Sequence, residues 1–510
     1  MAVRQSIAAR AGTILALMAA SIAVPAAAQA ATPVGWSACT ESELEGFDCA
    51  TYEVPLDYDR PSGPATTIAL ARRPADDQAH KLGTIFVNPG GPGGAGRDLV
   101  TVADQIVQPA VLARFDFVGF DPRGIGASDP IQCFATDEEA EALLARMTGV
   151  PVTRAQIAET LKANWEYTEG CKRNAGPLLT HMSTLNVAKD LDRLRQAVGD
   201  RALTYIGYSY GTMIGATYVN LFPAKVRAVI IDGNVDPDQR ANHRLANKFE
   251  RAGGFEIALA GFFRECDKAG PRCAFAGGSE AKFTQLRERL RQGPFTSPTY
   301  GVVTLDDLSD LVADSMYDVT SFPETAQILQ IVYGEVFGGP SPLAAAKAPP
   351  MPPARPARGG SPDAYGYTSN DAFFAVNCAD APLPRNPAVY PAIADVFEKA
   401  SPTFGRGEAF GEVGCANWPK VTERYAGPWN RRTASTVLVV NGTYDPATRY
   451  DFGKRMTREL GNARLLTLDG FGHTSRHSSA CVLDWYTRYL IAGQLPPAGT
   501  RCAQDLPPFP

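Results

Sequence analysis

The clearest indication of the fold is in residues 203–211, which read LTYIGYSYG. Leu203 to Gly207 is a short apolar run typical of a buried strand, and Thr212 to Leu221 continues with the pattern of a helix. Gly207 to Gly211 is a G-x-S-x-G motif placed between the two. A sharp strand-to-helix turn of this kind lifts a serine hydroxyl above the sheet and needs small residues on both sides. We therefore interpret Ser209 as a candidate nucleophile, with a chance loop serine as the alternative.

Further strands are predicted on both sides of this motif by short apolar runs. These runs are Thr51 to Pro55, Thr66 to Ala71, Gly83 to Asn88, Phe115 to Phe120, Val226 to Ile231, Thr436 to Asn441 and Ala463 to Leu468. Helices are predicted at Leu185 to Val198 and at Cys481 to Ala492. Alternation of strands and helices is typical of an α/β fold with a doubly wound, mostly parallel sheet.

The alternation stops after Asp236. Residues 240 to 335 have the spacing of amphipathic helices, and residues 338–362 are too rich in proline and glycine to form a core. The sequence therefore predicts one sheet domain interrupted by a large helical cap. The predicted boundaries are 31–236 for the first part of the sheet domain, 237–432 for the cap and 433–510 for the second part.

His473 is the candidate base for the serine. In chains that place a nucleophilic serine on such a turn, the base comes last, beyond the final strand. His473 lies in a Gly-flanked loop, GFGHT, directly after the run from Ala463 to Leu468. A base on such a loop at a strand end can reach the serine. His477, four residues further on, is the alternative.

Asp445 is the candidate carboxylate that orients the base. It follows the strand from Thr436 to Asn441, in the segment GTYDP. Such a carboxylate holds the tautomer of the imidazole and stabilises the imidazolium. Two alternatives remain: Asp451, just beyond, and Asp232, at the end of the strand that follows the nucleophile helix.

An oxyanion needs two N–H donors. The residue after the nucleophile, Tyr210, is expected to supply one of them. The second is expected from the loop after the strand at Gly83 to Asn88, where glycines let the bare backbone approach a substrate. We assign it to Gly91, with a merely flexible turn as the alternative.

The N-terminus has the pattern of a signal peptide. Arg4 and Arg10 are positive, residues 11–24 are almost wholly apolar, and Ala28-Gln29-Ala30 fits the small-x-small cleavage rule. We expect cleavage after Ala30 and a protein outside the cytoplasm, either extracellular or periplasmic. An uncleaved anchor helix is the alternative, but the run is short for a membrane span.

The cysteines agree with export. There are ten, and none forms a Cys-x-x-Cys pair, which weakens a zinc or redox interpretation. Disulfides are the default in an oxidising compartment. Pairing of neighbours closes five local loops and is the simplest expectation: 39–49, 133–171, 266–273, 378–415 and 481–502.

Composition excludes several classes of protein. The chain has 510 residues, of which 45 % are hydrophobic and 20 % charged, so wholesale disorder is excluded. Its net charge of −5 excludes a strongly basic nucleic-acid binder and offers no electrostatic attraction to anionic membranes.

Seven motifs together resemble those of the secreted bacterial tripeptidyl aminopeptidases of the α/β-hydrolase superfamily, relatives of the proline iminopeptidases. The motifs are NPGGPGG at 88–94, DPRGIGAS at 121–128, GYSYG at 207–211, IDGNVDP at 231–237, NCAD at 377–380, DPAT at 445–448 and Gly472-His473. Proline iminopeptidases usually carry His-Gly-Gly-Pro-Gly in the first motif. This chain has Pro89 in the place of that histidine, as the tripeptidyl group tends to have.

The resemblance implies an α/β-hydrolase fold with a cap over the sheet, and serine-peptidase chemistry at a free peptide N-terminus. Asp380 matches the acidic position of the NCAD motif. It is either the anchor for the substrate's α-amino group or part of a structural network. Asp121 and Arg123 are interpreted as a structural pair that supports the oxyanion loop, with contact to the substrate as the alternative.

The predicted activity is therefore a secreted serine exopeptidase that removes short N-terminal segments, tripeptides first among them. No metal or organic cofactor is expected. The expected partners are peptides with a free N-terminus, with no nucleic acid and no stable membrane association after signal cleavage. An exported carboxylesterase with the same Ser-His-Asp set, or a non-catalytic binding protein on the same scaffold, is the alternative.

Overall fold

Buried apolar strands form the centre of the structure, a computed structural model that describes residues 32–338, 348–351, 371–421, 423–476 and 478–510. The strands are β1 (Ser37–Ala38), β2 (Asp48–Pro55), β3 (Ala65–Arg73), β4 (Gly83–Asn88), β5 (Phe115–Phe120), β6 (Leu203–Tyr208), β7 (Val226–Asp232), β8 (Phe295–Ser297), β9 (Gly301–Val303), β10 (Val437–Tyr444), β11 (Ala463–Phe471) and β12 (Arg501–Ala503).

One mixed sheet contains all of these strands except the β8–β9 pair. Its order is β1-β2-β3-β5-β4-β6-β7-β10-β11-β12. The strands pair in parallel from β5 through β12, and β1, β2, β3 and β5 pair antiparallel with one another. The predicted doubly wound, mostly parallel sheet is confirmed. Because parallel strands end at the same edge, β4, β6, β7, β10 and β11 deliver their following loops to one place.

The central strands are apolar on both faces because helices cover both. Along β4, Phe86 packs into one hydrophobic cluster while its neighbours Ile85 and Val87 pack into the cluster on the opposite face. Side chains alternate between the faces of a strand, so a strand covered on both sides reads as a continuous apolar run. This is why β4 and β5 have the bounds that the sequence predicts, Gly83–Asn88 and Phe115–Phe120.

Sixteen α-helices are found among the described residues. They are α1 (Ala103–Ile106), α2 (Pro109–Leu112), α3 (Asp137–Leu144), α4 (Arg154–Asn174), α5 (Thr184–Ala197), α6 (Gly211–Leu221), α7 (Pro237–Asn242), α8 (Arg244–Ala269), α9 (Ser279–Arg291), α10 (Leu305–Ser315), α11 (Phe322–Phe337), α12 (Asp371–Asp380), α13 (Tyr390–Ala400), α14 (Gly405–Phe410), α15 (Tyr450–Glu459) and α16 (Ala480–Ala492).

Helices α7 to α14 and the β8–β9 hairpin lie between β7 and β10, so the predicted helical insertion is present. Its helices surround a hydrophobic core in which Phe262, Phe283 and Leu311 are buried. The exact cap boundaries remain a prediction. Most of the proline-rich segment 338–362, and the predicted signal peptide, lie outside the described residues.

A second helical excursion, which the sequence patterns did not predict, lies between β5 and α5. Helices α3 and α4 form it, and the Tyr167 ring of α4 packs 5.1 Å from that of Phe374 in α12. One long face of α4 is solvated and carries many charged side chains. Because these alternate with the buried residues, the sequence of α4 contains no continuous apolar run. No described helix combines the length and the apolar character needed to cross a bilayer.

All five predicted disulfides are present: Cys39–Cys49, Cys133–Cys171, Cys266–Cys273, Cys378–Cys415 and Cys481–Cys502. None of the described cysteines is free. Each bridge joins two cysteines that are neighbours in the sequence, with separations of 7 to 38 residues. The bridges are consistent with an extracellular protein.

Reduction is expected to lower the melting temperature strongly, because each closed loop contributes on the order of 3 kcal/mol in the entropic description.

Replacing Cys133 and Cys171 with alanine opens a loop of sequence separation 38. This change should destabilise the fold more than the same change at Cys266 and Cys273, where the separation is 7. The loop term predicts a difference of about 1.5 kcal/mol in the free energy of unfolding. Calorimetry measures it, and a free thiol in a non-reducing peptide map would contradict the pairing.

Candidate functional site

Ser209 stands on a strained turn between β6 and α6. Its φ is +54°, in the left-handed region that non-glycine residues seldom adopt. Its N–H donates to the carbonyl of Asp232 at 2.9 Å, and its own carbonyl accepts from the N–H and hydroxyl of Thr212 at 2.9 and 2.6 Å. A Cβ at Gly207 would lie 2.5 Å from the Gly211 carbonyl oxygen, so the first glycine of the motif is needed for close packing. The predicted turn is therefore present.

The glycine loop after β4 lies directly against this turn. A Cβ at Gly90 would come within 2.5 Å of the Tyr208 carbonyl oxygen and 2.8 Å of Ser209 Cβ. Gly91 follows with φ +106°. Tyr210 directly precedes α6, at the end of a helix where the first backbone N–H groups have no acceptor within the helix. The two predicted oxyanion donors, Gly91 and Tyr210, are thus on the two segments that meet at Ser209, and Gly90 is the residue that lets them approach.

Asp445 contacts His473 as the sequence predicts. Its Oδ1 and Oδ2 atoms lie 2.9 and 3.1 Å from His473 Nδ1. The carboxylate also accepts from the N–H groups of Ala447, Thr448 and Thr474 at 3.1, 2.8 and 3.1 Å, and from the Thr448 hydroxyl at 2.9 Å. These donors hold the carboxylate in place and leave it in acceptor-only contacts, which suits an ionised group.

The cap also holds His473, through a residue that the sequence analysis missed. The His473 N–H donates to the carbonyl of Tyr317 at 2.9 Å, and the two rings meet edge to face with centroids 5.1 Å apart. Tyr317 lies just after α10, far from the sheet motifs in sequence. No local signal connects a cap tyrosine with a loop that follows β11, so only the tertiary contact reveals it.

The two alternative acids have other partners. Asp451 is on α15 and pairs with Arg449 and Lys454 at 2.7 and 2.5 Å. Asp232 is fully buried and accepts from the Ser475 N–H and hydroxyl and from the Tyr486 hydroxyl. The alternative base, His477, lies outside the described residues.

Asp232 connects the serine turn with the histidine loop. Its carbonyl accepts from Ser209, while its carboxylate accepts from Ser475 Oγ at 2.6 Å and from Tyr486 at 2.8 Å. A Cβ at the next residue, Gly233, would lie 2.8 Å from Thr474 Cγ2 and 3.4 Å from Asp445 Oδ2. Burial raises the pKa of Asp232 to about 6, although the hydroxyl groups that donate to the carboxylate lower the pKa in part. We interpret it as a structural support for the site.

Ser209 and His473 line one pocket of about 400 Å³. Its walls come from the serine turn, from the cap at Tyr317 to Thr320, from the histidine loop and from the segment that follows β12. The pocket therefore lies where the sheet, the cap and the C-terminal segment meet.

Asp380 does not line this pocket. It is buried, and its two oxygens accept from the Thr184 N–H at 2.8 Å and the Thr184 hydroxyl at 2.6 Å. The Thr184 hydroxyl also contacts the Tyr210 hydroxyl at 2.5 Å, and the Arg240 guanidinium lies 5.3 Å from the centroid of the Tyr210 ring. Burial raises the pKa of Asp380, and Arg240 opposes that shift. These contacts fit the structural alternative better than a direct contact with a substrate amine.

Asp121 and Arg123 do not pair with each other, which corrects the sequence interpretation. Asp121 accepts from the N–H groups of Gly96 and Arg97 at 2.8 and 3.1 Å, so it does support the end of the glycine loop. Arg123 is fully buried and instead forms a bidentate ion pair with Asp190. The two side chains diverge because Arg123 points toward α5, and Asp121 toward the loop after β4.

Comparison with known proteins agrees with this architecture. Residues 83–260 match the family model for the alpha/beta hydrolase fold, and residues 401–502 match the model for TAP-like proteins. The serine protease Hip1 of Mycobacterium tuberculosis is 33 % identical to the chain, with 92 % of this chain and 91 % of that protein covered. The chain belongs to the α/β-hydrolase family.

Two further relatives show the range of names within this α/β-hydrolase group. The tripeptidyl aminopeptidase of Streptomyces lividans is 29 % identical, with 96 % of this chain and 90 % of that protein covered. Carboxylesterase B of Mycobacterium tuberculosis is 32 % identical, with 94 % and 92 % covered. The protein is a serine hydrolase, and its relatives support a serine peptidase.

Proposed function

We propose that this hydrolase is an exported serine exopeptidase that removes short N-terminal segments, tripeptides first among them, from peptides. The observation that carries the proposal is the pocket lined by both Ser209 and His473, with His473 hydrogen-bonded to Asp445. The similarity to a tripeptidyl aminopeptidase over 96 % of the chain supports the substrate class.

In the proposed reaction, Ser209 Oγ attacks the scissile carbonyl and His473 Nε2 takes its proton. The Asp445 carboxylate accepts from Nδ1, which keeps Nε2 free to act as the base and stabilises the imidazolium. His473 then donates the proton to the leaving amine, and an acyl-enzyme remains on Ser209. Water attacks that ester with the same base, and Ser209 is restored.

The Gly91 and Tyr210 N–H groups hold the oxyanion in this proposal. The dipole of α6 adds positive potential at the same point. Asp380 supports Tyr210 from behind through Thr184, with contacts of 2.6 and 2.5 Å in series. The carboxylate therefore acts on the oxyanion site through Tyr210 rather than by touching substrate.

Export is part of the proposal. The N-terminal pattern of a signal peptide and five disulfides support it. N-terminal sequencing of protein recovered outside the cytoplasm should begin at Ala31.

The test of exopeptidase action is product analysis on matched free and N-acetylated peptides. Acetylation removes the charge of the α-amino group and adds bulk, so kcat/KM should fall by at least about a hundredfold. Mass spectrometry of the products identifies the number of residues released. Equal cleavage of both peptides would favour an endopeptidase or an esterase.

Asp380→Asn separates the two interpretations of that carboxylate. Because Asp380 contacts Thr184 rather than the pocket, we expect its loss to lower kcat on free peptides, acetylated peptides and a small neutral ester alike. A loss confined to free-amino peptides would instead identify Asp380 as the amine anchor, and the ester would then serve as the control for folding.

Carboxylesterase activity is the second candidate function, favoured by the relative that carries that name. The same serine, histidine and aspartate would hydrolyse an ester. A panel of acyl esters and peptides, compared by kcat/KM, decides between the two substrates.

A further inference from the structure

The chain from Cys502 to Phe509, which we call the C-terminal strap, ties the sheet to the cap. At its start, Cys502 is bonded to Cys481 of α16. Gln504 then bonds both backbone groups of Phe471, with its Oε1 accepting from the N–H at 2.9 Å and its Nε2 donating to the carbonyl at 3.3 Å. These contacts hold the strap beside the loop that carries His473.

At its other end the strap enters the cap. Phe509 is buried in the hydrophobic core of the insertion, with its ring 5.8 Å from that of Phe262 and 6.1 Å from that of Phe322. Its carbonyl accepts a hydrogen bond from Arg272. The strap is therefore fixed at both ends, and its middle is held across one side of the pocket.

Leu506 lies in that middle part and lines the pocket with Ser209 and His473. The residue is 52 % exposed, although both ends of the strap are anchored. Leu506 is thus a large, exposed apolar side chain in an anchored segment beside the catalytic serine. Such a side chain can pack against the apolar surface of a ligand.

The chemistry of the triad indicates which part of a substrate meets Leu506. His473 must give its proton to the leaving nitrogen, so the leaving group lies on the histidine side of Ser209. The strap and residues 471–474, 476 and 478 line that side of the pocket. The acyl part of the substrate then extends the other way from Ser209.

We propose that Leu506 and the pocket wall around it form the subsite for the first side chain of the leaving peptide, and that this subsite prefers an apolar side chain. The proposal rests on the serine-peptidase function proposed above. In the reverse of acylation, the same subsite binds an incoming amine, so it also governs transfer of the acyl group to amino acid amides.

The experiment measures that transfer. An acyl-enzyme is formed from a tripeptide p-nitroanilide, and leucinamide or glycinamide competes with water for it. Wild type should transfer the acyl group to leucinamide about five- to tenfold better than to glycinamide, because leucinamide buries apolar surface against Leu506. In Leu506→Ala that preference should fall to within about twofold. Hydrolysis of the acyl-enzyme by water, which has no side chain to bind, should keep its rate.

Leu82→Ala is the matched control. Leu82 is also a partly exposed leucine, at 38 %, but it precedes the first residue of β4 and so lies at the opposite edge of the sheet from Ser209. The Leu82→Ala substitution should leave the preference for leucinamide over glycinamide unchanged. Leu506→Met, which keeps the apolar surface, should retain most of the preference and guards against misfolding of the alanine variant.

Three results would overturn the proposal. A wild-type enzyme without preference for leucinamide, or a Leu506→Ala enzyme with the full preference, would each refute the subsite while the acyl-enzyme on Ser209 still stands. If intact-mass measurements find no acyl group on Ser209, the proposed function itself fails, and the subsite with it.

Discussion

Ser209→Ala is expected to lower kcat/KM on a peptide substrate by about 10⁶ and to abolish labelling by a fluorophosphonate. The oxygen of the Ser209 hydroxyl forms the bond to the acyl group, so no neighbouring group can replace it. The residual rate then reflects substrate binding and oxyanion stabilisation alone. Initial rates on a tripeptide anilide and intact-mass measurement of the labelled protein give the two readouts.

Ser42→Ala is a suitable control for this prediction, since Ser42 is an exposed serine in a short 3-10 helix near the N-terminal end of the sheet. Both variants should keep the wild-type melting temperature within a few degrees. A Ser209→Ala enzyme that still forms a covalent adduct would mean that another residue is the nucleophile.

Asp445→Asn should preserve the fold and lower kcat by about 10⁴. An asparagine can turn its amide N–H₂ toward His473 Nδ1, which favours the tautomer with the proton on Nε2 and removes the base. The imidazolium that forms during acylation also loses the negative charge that stabilises it. The measurement is kcat under saturating substrate, with near-ultraviolet circular dichroism as the check on folding.

Asp232→Asn is the matched comparison, because Asp232 is a buried carboxylate at the end of the neighbouring strand. Its amide can still accept from Ser475 and donate to the Tyr486 oxygen, so the expected loss in kcat is about tenfold or less. A larger loss for Asp232→Asn than for Asp445→Asn would assign the catalytic carboxylate to β7 rather than β10.

The strands could be predicted because their signal is local. The strands at the centre of the sheet are covered on both faces, so β4 and β5 are continuous apolar runs with turn residues at their ends. Strands β1 and β12 were not predicted. They have only two and three residues, and they are recognised as strands by their hydrogen bonds to neighbouring strands. The predicted ends of the strands near the site are too early. After their apolar runs, β10 and β11 continue through polar and glycine residues to Tyr444 and Phe471.

Helix α4 was not predicted for a related reason. Its 21 residues contain many charged side chains, and its buried residues include polar Asn164 and Thr168, which are satisfied by hydrogen bonds within the fold. The sequence does not show these hydrogen-bond partners, so a buried polar residue is predicted to be exposed.

The elements that carry the site can be identified from the amino-acid sequence alone. The G-x-S-x-G turn, the glycine loop and the two loops after β10 and β11 each carry their own local signal, and parallel strands bring all four to one edge of the sheet. Five cysteine pairs also followed from sequence distance, because each closes a short local loop.

Which groups touch within that site becomes visible only in the folded chain. Asp232 and Asp445 lie at the ends of adjacent strands. Asp232 accepts from Ser475, two residues beyond His473, whereas Asp445 contacts His473 itself at 2.9 Å. The contact of Tyr317 with His473, the separation of Asp121 from Arg123, the burial of Asp380 behind Tyr210 and the position of Leu506 in the pocket are decided in the same way. Hydrogen bonds and packing change over distances of about 1 Å, whereas sequence patterns place an element only to within a turn or a strand end.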